Sequence, residues 1–167
     1  MAHALELSED HRQAIALRLS RRLDRFAHLA THGLEIGETF ETHILRLRNL
    51  SGRRRIRRVQ PSAGTPAYVH VQIRLAGKPV LCAHVKAEAD HWEALNVFGE
   101  HMAPVIGRAI LWADDHAPGA GVARILLLPE HRVVALWIET PKQDRILPVL
   151  GNGATGRLRT DRTYSPH

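Results

Sequence analysis

Two histidines and the only cysteine of the chain, His70, Cys82 and His84, lie where they could act together. They belong to two alternating runs, Tyr68-Val-His-Val-Gln-Ile-Arg-Leu75 and Val80 to Lys86, separated by Gly77, Lys78 and Pro79. Alternation with a turn between predicts a β-hairpin. Opposed residues of an antiparallel pair share a face, so the apolar residues set the register. If Leu75 faces Pro79 across a three-residue loop, Ile73 meets Leu81, Val71 meets Ala83 and Val69 meets Val85. The polar face then sets His70 against His84, Gln72 against Cys82 and Arg74 against Val80. Two imidazoles with Cβ atoms about 5 Å apart and a thiol diagonal to them suit a zinc site with an open fourth position. The same trio suits a thiolate nucleophile assisted by imidazole. The plainer expectation is solvent-side histidines and a cysteine used as a small hydrophobe.

A second chemistry is offered by positive charge. Arg46, Arg48, Arg53, Arg54, Arg55, Arg57 and Arg58 fall together with no acid among the last five. Such a run can meet the acidic surface of a protein partner, or phosphates, each neutralised phosphate steepening the salt dependence. Tyr68, His70, Gln72 and Arg74, on an exposed sheet face, would add a surface on which bases stack. A merely solvated charged segment is the alternative. His28 and His32 have helical metal-ligand spacing, but read better as cations near a helix end. Asp114, Asp115 and His116 read as a solvated loop, and the neighbours Glu100 and His101 point apart on a helix.

Gly151-Asn-Gly-Ala-Thr-Gly156 has the pattern of a dinucleotide-binding loop directly after an apolar run. That pattern works by opening a helix inside a βαβ unit, with an acid about 20 residues later. Only Arg157 to His167 follow, so the glycines read as a tail. Signatures of P-loop, zinc-protease, paired-cysteine and serine-hydrolase sites are absent, which lowers the expectation of an enzyme.

The elements that must position these residues follow from periodicity. A first amphipathic helix is expected over about Glu9 to Thr31, with Ser8 as N-cap, Gly33 past its end and a stripe of Ile15, Leu19, Leu23, Phe26 and Ala30. Residues 38–59 fit either state: Phe40, Ile44 and Leu47 favour a helix to about Leu50, Thr39, Thr42 and Ile44 a hairpin, and the helix is preferred narrowly. The next helical region is expected from about Asp90 to Trp112 on a stripe of Trp92, Leu95, Phe98, Met102, Val105 and Ala109, broken near Pro104. Val122 to Leu128, Arg132 to Glu139 and Arg145 to Leu150 read as a three-strand meander, with Pro148 marking an edge.

The expected fold class is therefore α+β: a single five-stranded, mainly antiparallel sheet in ββαβββ order, packed against helices and preceded by the amphipathic helix. One domain spans 1–150 and a tail 151–167. The ββαβββ order resembles that of profilin-like and roadblock-like domains. That topological resemblance, over about half the chain, implies a scaffold or protein-binding regulator.

Composition sets the outer bounds. The 167 residues, 44% hydrophobic and 24% charged, are those of a globular chain, with no apolar run long enough for a membrane span. No signal peptide is read at the N-terminus, and one cysteine fits a reducing cytoplasm. The net charge of +6 favours an anionic partner, although 20 of the 23 basic residues are arginine, as GC-rich coding also gives. The sequence thus points to a non-enzymatic intracellular binding or regulatory module, expected as a homodimer, that engages an acidic protein through its arginines. Nucleic-acid binding by the same arginines comes second. A zinc- or cysteine-dependent enzyme at His70, Cys82 and His84 comes third, and no cofactor but zinc is suggested.

Overall fold

The structure is a computed structural model that describes residues 2–23, 26, 33–45, 66–88, 91–116, 121–140 and 144–150. The elements are β1 (Ala2–His3), α1 (Glu9–Ser20), β2 (Leu34–Ile44), β3 (Tyr68–Leu75), β4 (Lys78–Glu88), β5 (His91–Phe98), α2 (Met102–His116), β6 (Gly121–Leu128), β7 (Val133–Glu139) and β8 (Arg145–Leu150). Strands follow the order β5-β4-β3-β2-β6-β7-β8, with β1 pairing β6 beside that path. The expected five-stranded, mainly antiparallel sheet is thus corrected to a seven-stranded mixed one, still of α+β character. Two strands, β2 and β5, replace expected helices, and they also break the ββαβββ order on which the profilin-like and roadblock-like resemblance stood.

Each replacement has a physical reason. In β2, Thr39, Phe40 and Thr42 are all buried. A strand covered on both faces shows continuous rather than alternating burial, and its apolar spacing carries no period-2 signal. β2 pairs in parallel with β6, Thr42 opposite Ile125 and Ile44 opposite Leu127. In β5 a bulge misleads. His84 pairs with Asn96 but Val85 pairs with Ala94, so Leu95 is an extra residue. The bulge turns a spacing of two into three, and Ala94 and Val97 both reach the core. The expected stripe of Trp92, Leu95 and Phe98 is therefore not one face: Trp92 packs on the core with Ala94 and Val97, Leu95 is the inserted residue, and Phe98 turns to His84 on the other side. The chain breaks at Gly99 (φ +89°) rather than at Pro104, which sits in the first turn of α2, where its missing N–H costs nothing. Asp114, Asp115 and His116 close α2 instead of lying in a loop.

The contacts divide the chain into two compact units, Ala4–Phe40 with Tyr68–Gly107, and Met1–His3 with Glu41–Ala67 and Arg108–His167. In the former, Ser8 caps α1, its hydroxyl accepting from the His11 N–H at 3.3 Å. The helix ends at Ser20, whose Oγ donates back to the Leu17 carbonyl, well short of Thr31. Tight three-residue turns follow, Leu23 N–H donating to Ser20 and Phe26 N–H to Leu23. They carry the apolar stripe onward: Ile15, Leu19 and Leu23 bury against Val69, Val71, Ile73, Leu81, Ala83, Val85, Ala94 and Val97, with Phe26 packed beside them. Fully burying one such side chain contributes roughly 1.5–3 kcal/mol.

The β3–β4 hairpin keeps the expected pairs from Val69↔Val85 to Ile73↔Leu81. Its end does not. Arg74 pairs with Pro79 and Leu75 with Lys78, so Val80 is bulged out and the loop shortens to Ala76-Gly77. Both loop residues have positive φ (+48° and +74°), the sign that type I′ turns require to match strand twist.

In the second unit, β6, β7 and β8 form the expected antiparallel meander. Leu45, Leu126, Ala135 and Trp137 are one cluster of its core. β8, with Pro148, ends the strand order as an edge strand should. No helix among the described residues is long and apolar enough to cross a membrane.

Candidate functional site

The register places His70 opposite His84 and Cys82 diagonal to His70, as the sequence implies. The environment differs from the expected solvent face. His70, Gln72 and Cys82 are 1%, 0% and 0% exposed, so the hairpin is covered on both faces. His84 is half-buried in an aromatic cage, stacked on Tyr68 at 4.4 Å with the edges of Phe98 and His70 at 4.6 and 5.5 Å between ring centroids. The thiol lies under the Gly99 turn, where a Cβ at Gly99 would come within 3.8 Å of its sulfur.

That burial sets the chemistry. It pushes the Cys82 thiol up to about 12, which withholds the thiolate that nucleophilic attack requires. It drives His84 down to about 4, and His70 down to about 3 with help from the neighbouring His84. Neither ring nitrogen of His70 and neither amide atom of Gln72 has a hydrogen-bond partner among the described residues. No three His, Cys, Asp or Glu side chains among the described residues gather into a cluster that could hold a metal ion. His70, Gln72 and Arg74 also offer no exposed face for stacked bases: the first two are buried, and Arg74 is ion-paired with Glu38. Gly37 makes that pair feasible, since a Cβ there would meet Arg74 Nε at 2.9 Å.

A charged cluster that the sequence reading missed lies on β2, β6 and β7. Arg124 donates from Nε to Glu41 at 2.8 Å and from Nη1 to Glu139, with its guanidinium 5.0 Å from the Trp137 ring centre. His43 sits edge-on to Trp137 and 3.6 Å from Glu41, an ion-pair distance too long for a hydrogen bond. The Arg124 hydrogen bond holds the Glu41 carboxyl below its usual range against the opposing effect of burial. Burial keeps the His43 pKa low although Glu41 opposes it. The guanidinium is already matched by two carboxylates, so the cluster reads as a clamp between strands. Its sequence signal is the same-face set Glu41 and His43, visible once residues 38–44 are read as a strand.

Positive charge collects elsewhere. Arg18, Arg21, Arg22, His91, Trp92, Glu93 and Ala94 line a cavity of about 220 Å³ between the end of α1 and the start of β5. All three arginines are exposed, and Trp92 is half-buried against the core. Arg22 donates from Nη1 to the Leu95 carbonyl at 3.2 Å. No ion pair engages Arg18 or Arg21 among the described residues, and Glu93 is the single acid in the lining. Cations at a helix C-terminus also offset the helix dipole, a local role worth about 0.3–1 kcal/mol each. One arginine would serve that purpose; three around one concavity make a surface receptive to anions. Periodicity predicts helix where β5 lies, so nothing in the sequence pattern places Trp92 and His91 opposite Arg21.

The arginine run of Arg46, Arg48, Arg53, Arg54, Arg55, Arg57 and Arg58 lies outside the described residues, as do His28, His32 and the glycine-rich segment 151–156. No protein-family model, curated protein or solved structure matches the chain.

Proposed function

We propose that the protein is a non-enzymatic binding module that engages an acidic surface of a protein partner. The observation that carries this reading is the groove between α1 and β5, where Arg18, Arg21 and Arg22 surround one concavity that contains a single acid. The net charge of +6 and the arginine run at 53–58 support it by drawing anionic partners over a longer range. The buried hairpin face supports it from the other side, since burial there favours the neutral Cys82 thiol.

The test uses the whole chain and a fluorescently labelled oligoglutamate peptide as a model acidic surface, followed by anisotropy at about 50 and about 200 mM salt, a range that screens exposed charge pairs. Two variants accompany it: R18S/R21S, and one in which Arg53, Arg54, Arg55, Arg57 and Arg58 are all serine. Salt-sensitive binding that weakens in R18S/R21S is the expected result. Absence of binding overturns the reading. Tight, steeply salt-dependent binding of a mixed single-stranded RNA, with the peptide ignored, replaces it by nucleic-acid recognition.

A further inference from the structure

We propose that the groove between α1 and β5 receives a phosphorylated side chain of the acidic partner, an inference that rests on the function proposed above. Three features of the groove point to that group. Its volume of about 220 Å³ lies below the range of roughly 300–1,000 Å³ of pockets that enclose whole small ligands, so it fits one compact group with the side chain that bears it.

Its charge is the second feature. A carboxylate offers one negative charge and two oxygens, whereas a phosphomonoester carries about −1.5 to −2 at neutral pH and three acceptor oxygens. Arg18 and Arg21 make no ion pair among the described residues, and Arg22, although tied by Nη1 to Leu95, keeps further N–H donors. More than one guanidinium can be satisfied by a phosphate at once, each through paired N–H donors in the fork geometry that arginine supplies.

The third feature is the wall. Trp92 and Ala94 anchor it in the core while His91 and Glu93 alternate with them along β5. The indole gives the aliphatic or aromatic stem of a phosphorylated residue an apolar surface. Glu93 is the opposing element: its carboxylate repels an anion in the groove, and β4 places Lys86 opposite it in the pairing of the two strands.

The experiment compares two labelled peptides of one glutamate-rich sequence, with phosphoserine or glutamate at the central position, by anisotropy with the whole chain. The phosphopeptide should bind at least about tenfold more tightly, the difference expected of an added charge-assisted contact. R18S/R21S should abolish that difference, and E93Q should tighten the phosphopeptide several-fold more than its glutamate counterpart. E93Q leaves every arginine in place and so keeps the test decisive if the double variant fails to fold. Equal affinity for the two peptides, both weakened by R18S/R21S, overturns this inference and leaves the acidic-partner function standing. Binding of neither peptide overturns both. A phosphopeptide preference unchanged by R18S/R21S and by E93Q removes the site from this groove.

Discussion

At the scale of single residues, the buried imidazoles make stability depend on pH. The His70 pKa falls from 6.5 to about 3 on folding, and that of His84 from 6.5 to about 4. Below pH 6.5 the unfolded chain therefore takes up protons that the folded chain refuses. The folded state loses stability as pH falls through the window from about 6.5 down to about 4 and then about 3. For His70 alone the loss between about pH 7.5 and about pH 5 is on the order of 2 kcal/mol. Urea midpoints at the two pH values measure it, and H70Q should flatten the dependence. An unchanged pH profile in H70Q would show that the ring is not protected from protonation. The Arg124 clamp gives a second prediction. R124M leaves Glu41 and Glu139 facing each other without their shared cation, at a cost of about 2 kcal/mol for this half-exposed setting. E41Q in the same background should restore part of that by removing one of the two charges, a non-additivity read from a double-mutant cycle.

At the scale of elements, the bulge in β5 divides the expected helical stripe of Trp92, Leu95 and Phe98 between the two faces of a strand. Leu95 is the inserted residue between the pairs His84↔Asn96 and Val85↔Ala94. Deleting Leu95 would leave Ala94 and Val97 two apart, on the same core face, in a regular ladder. The deletion variant should fold, with a midpoint lowered modestly by the loss of the carbonyl that accepts from Arg22. Deleting Glu93 instead shifts Trp92 to the opposite face and should abolish cooperative unfolding, because a one-residue slip exchanges the two faces of a strand. Thermal melts followed by circular dichroism separate the two; comparable damage from both would mean that the bulge fixes more than register. The helix α1 shows the complementary case. Its N-terminus is set by a local cap, whereas its end is set by Ser20 and by the turns that keep Leu23 and Phe26 on the core.

At the scale of the whole molecule, the connections differ in range. β3–β4, β4–β5, β6–β7 and β7–β8 join neighbours in sequence. The parallel pair β2–β6 must bring Thr42 to Ile125, a separation of about half the chain. Such pairing demands loop closure before any contact rewards it, so refolding should take about milliseconds to seconds rather than microseconds. Stopped-flow tryptophan fluorescence of a W112F variant, which removes the third tryptophan, reads this, with Trp92 reporting on one core and Trp137 on the other. Complete recovery of both signals within the dead time would contradict the picture.

Sequence alone determined what short range controls. Alternation and complementary apolar faces gave five consecutive pairs of the β3–β4 hairpin, with His70 opposite His84. The serine before two acids gave the start of α1, and regular strands with turn residues between them gave the meander of β6, β7 and β8. These follow from backbone geometry within a few residues, which the side chains record directly. Tertiary structure decided what covers each face. It made β2 a strand whose Thr39 and Thr42 are as buried as its Phe40, erasing the alternation that identifies strands. It gave β5 a bulge at Leu95 in its pairing with β4, which sets Trp92 and Phe98 on opposite faces. It buried His70, Gln72 and Cys82 on a face expected to meet solvent, and it set Trp92 against Arg18 and Arg21 to make the groove. Solvent access and cross-strand partners depend on residues far away in sequence, so no local pattern around His70 or Arg21 could have carried that information.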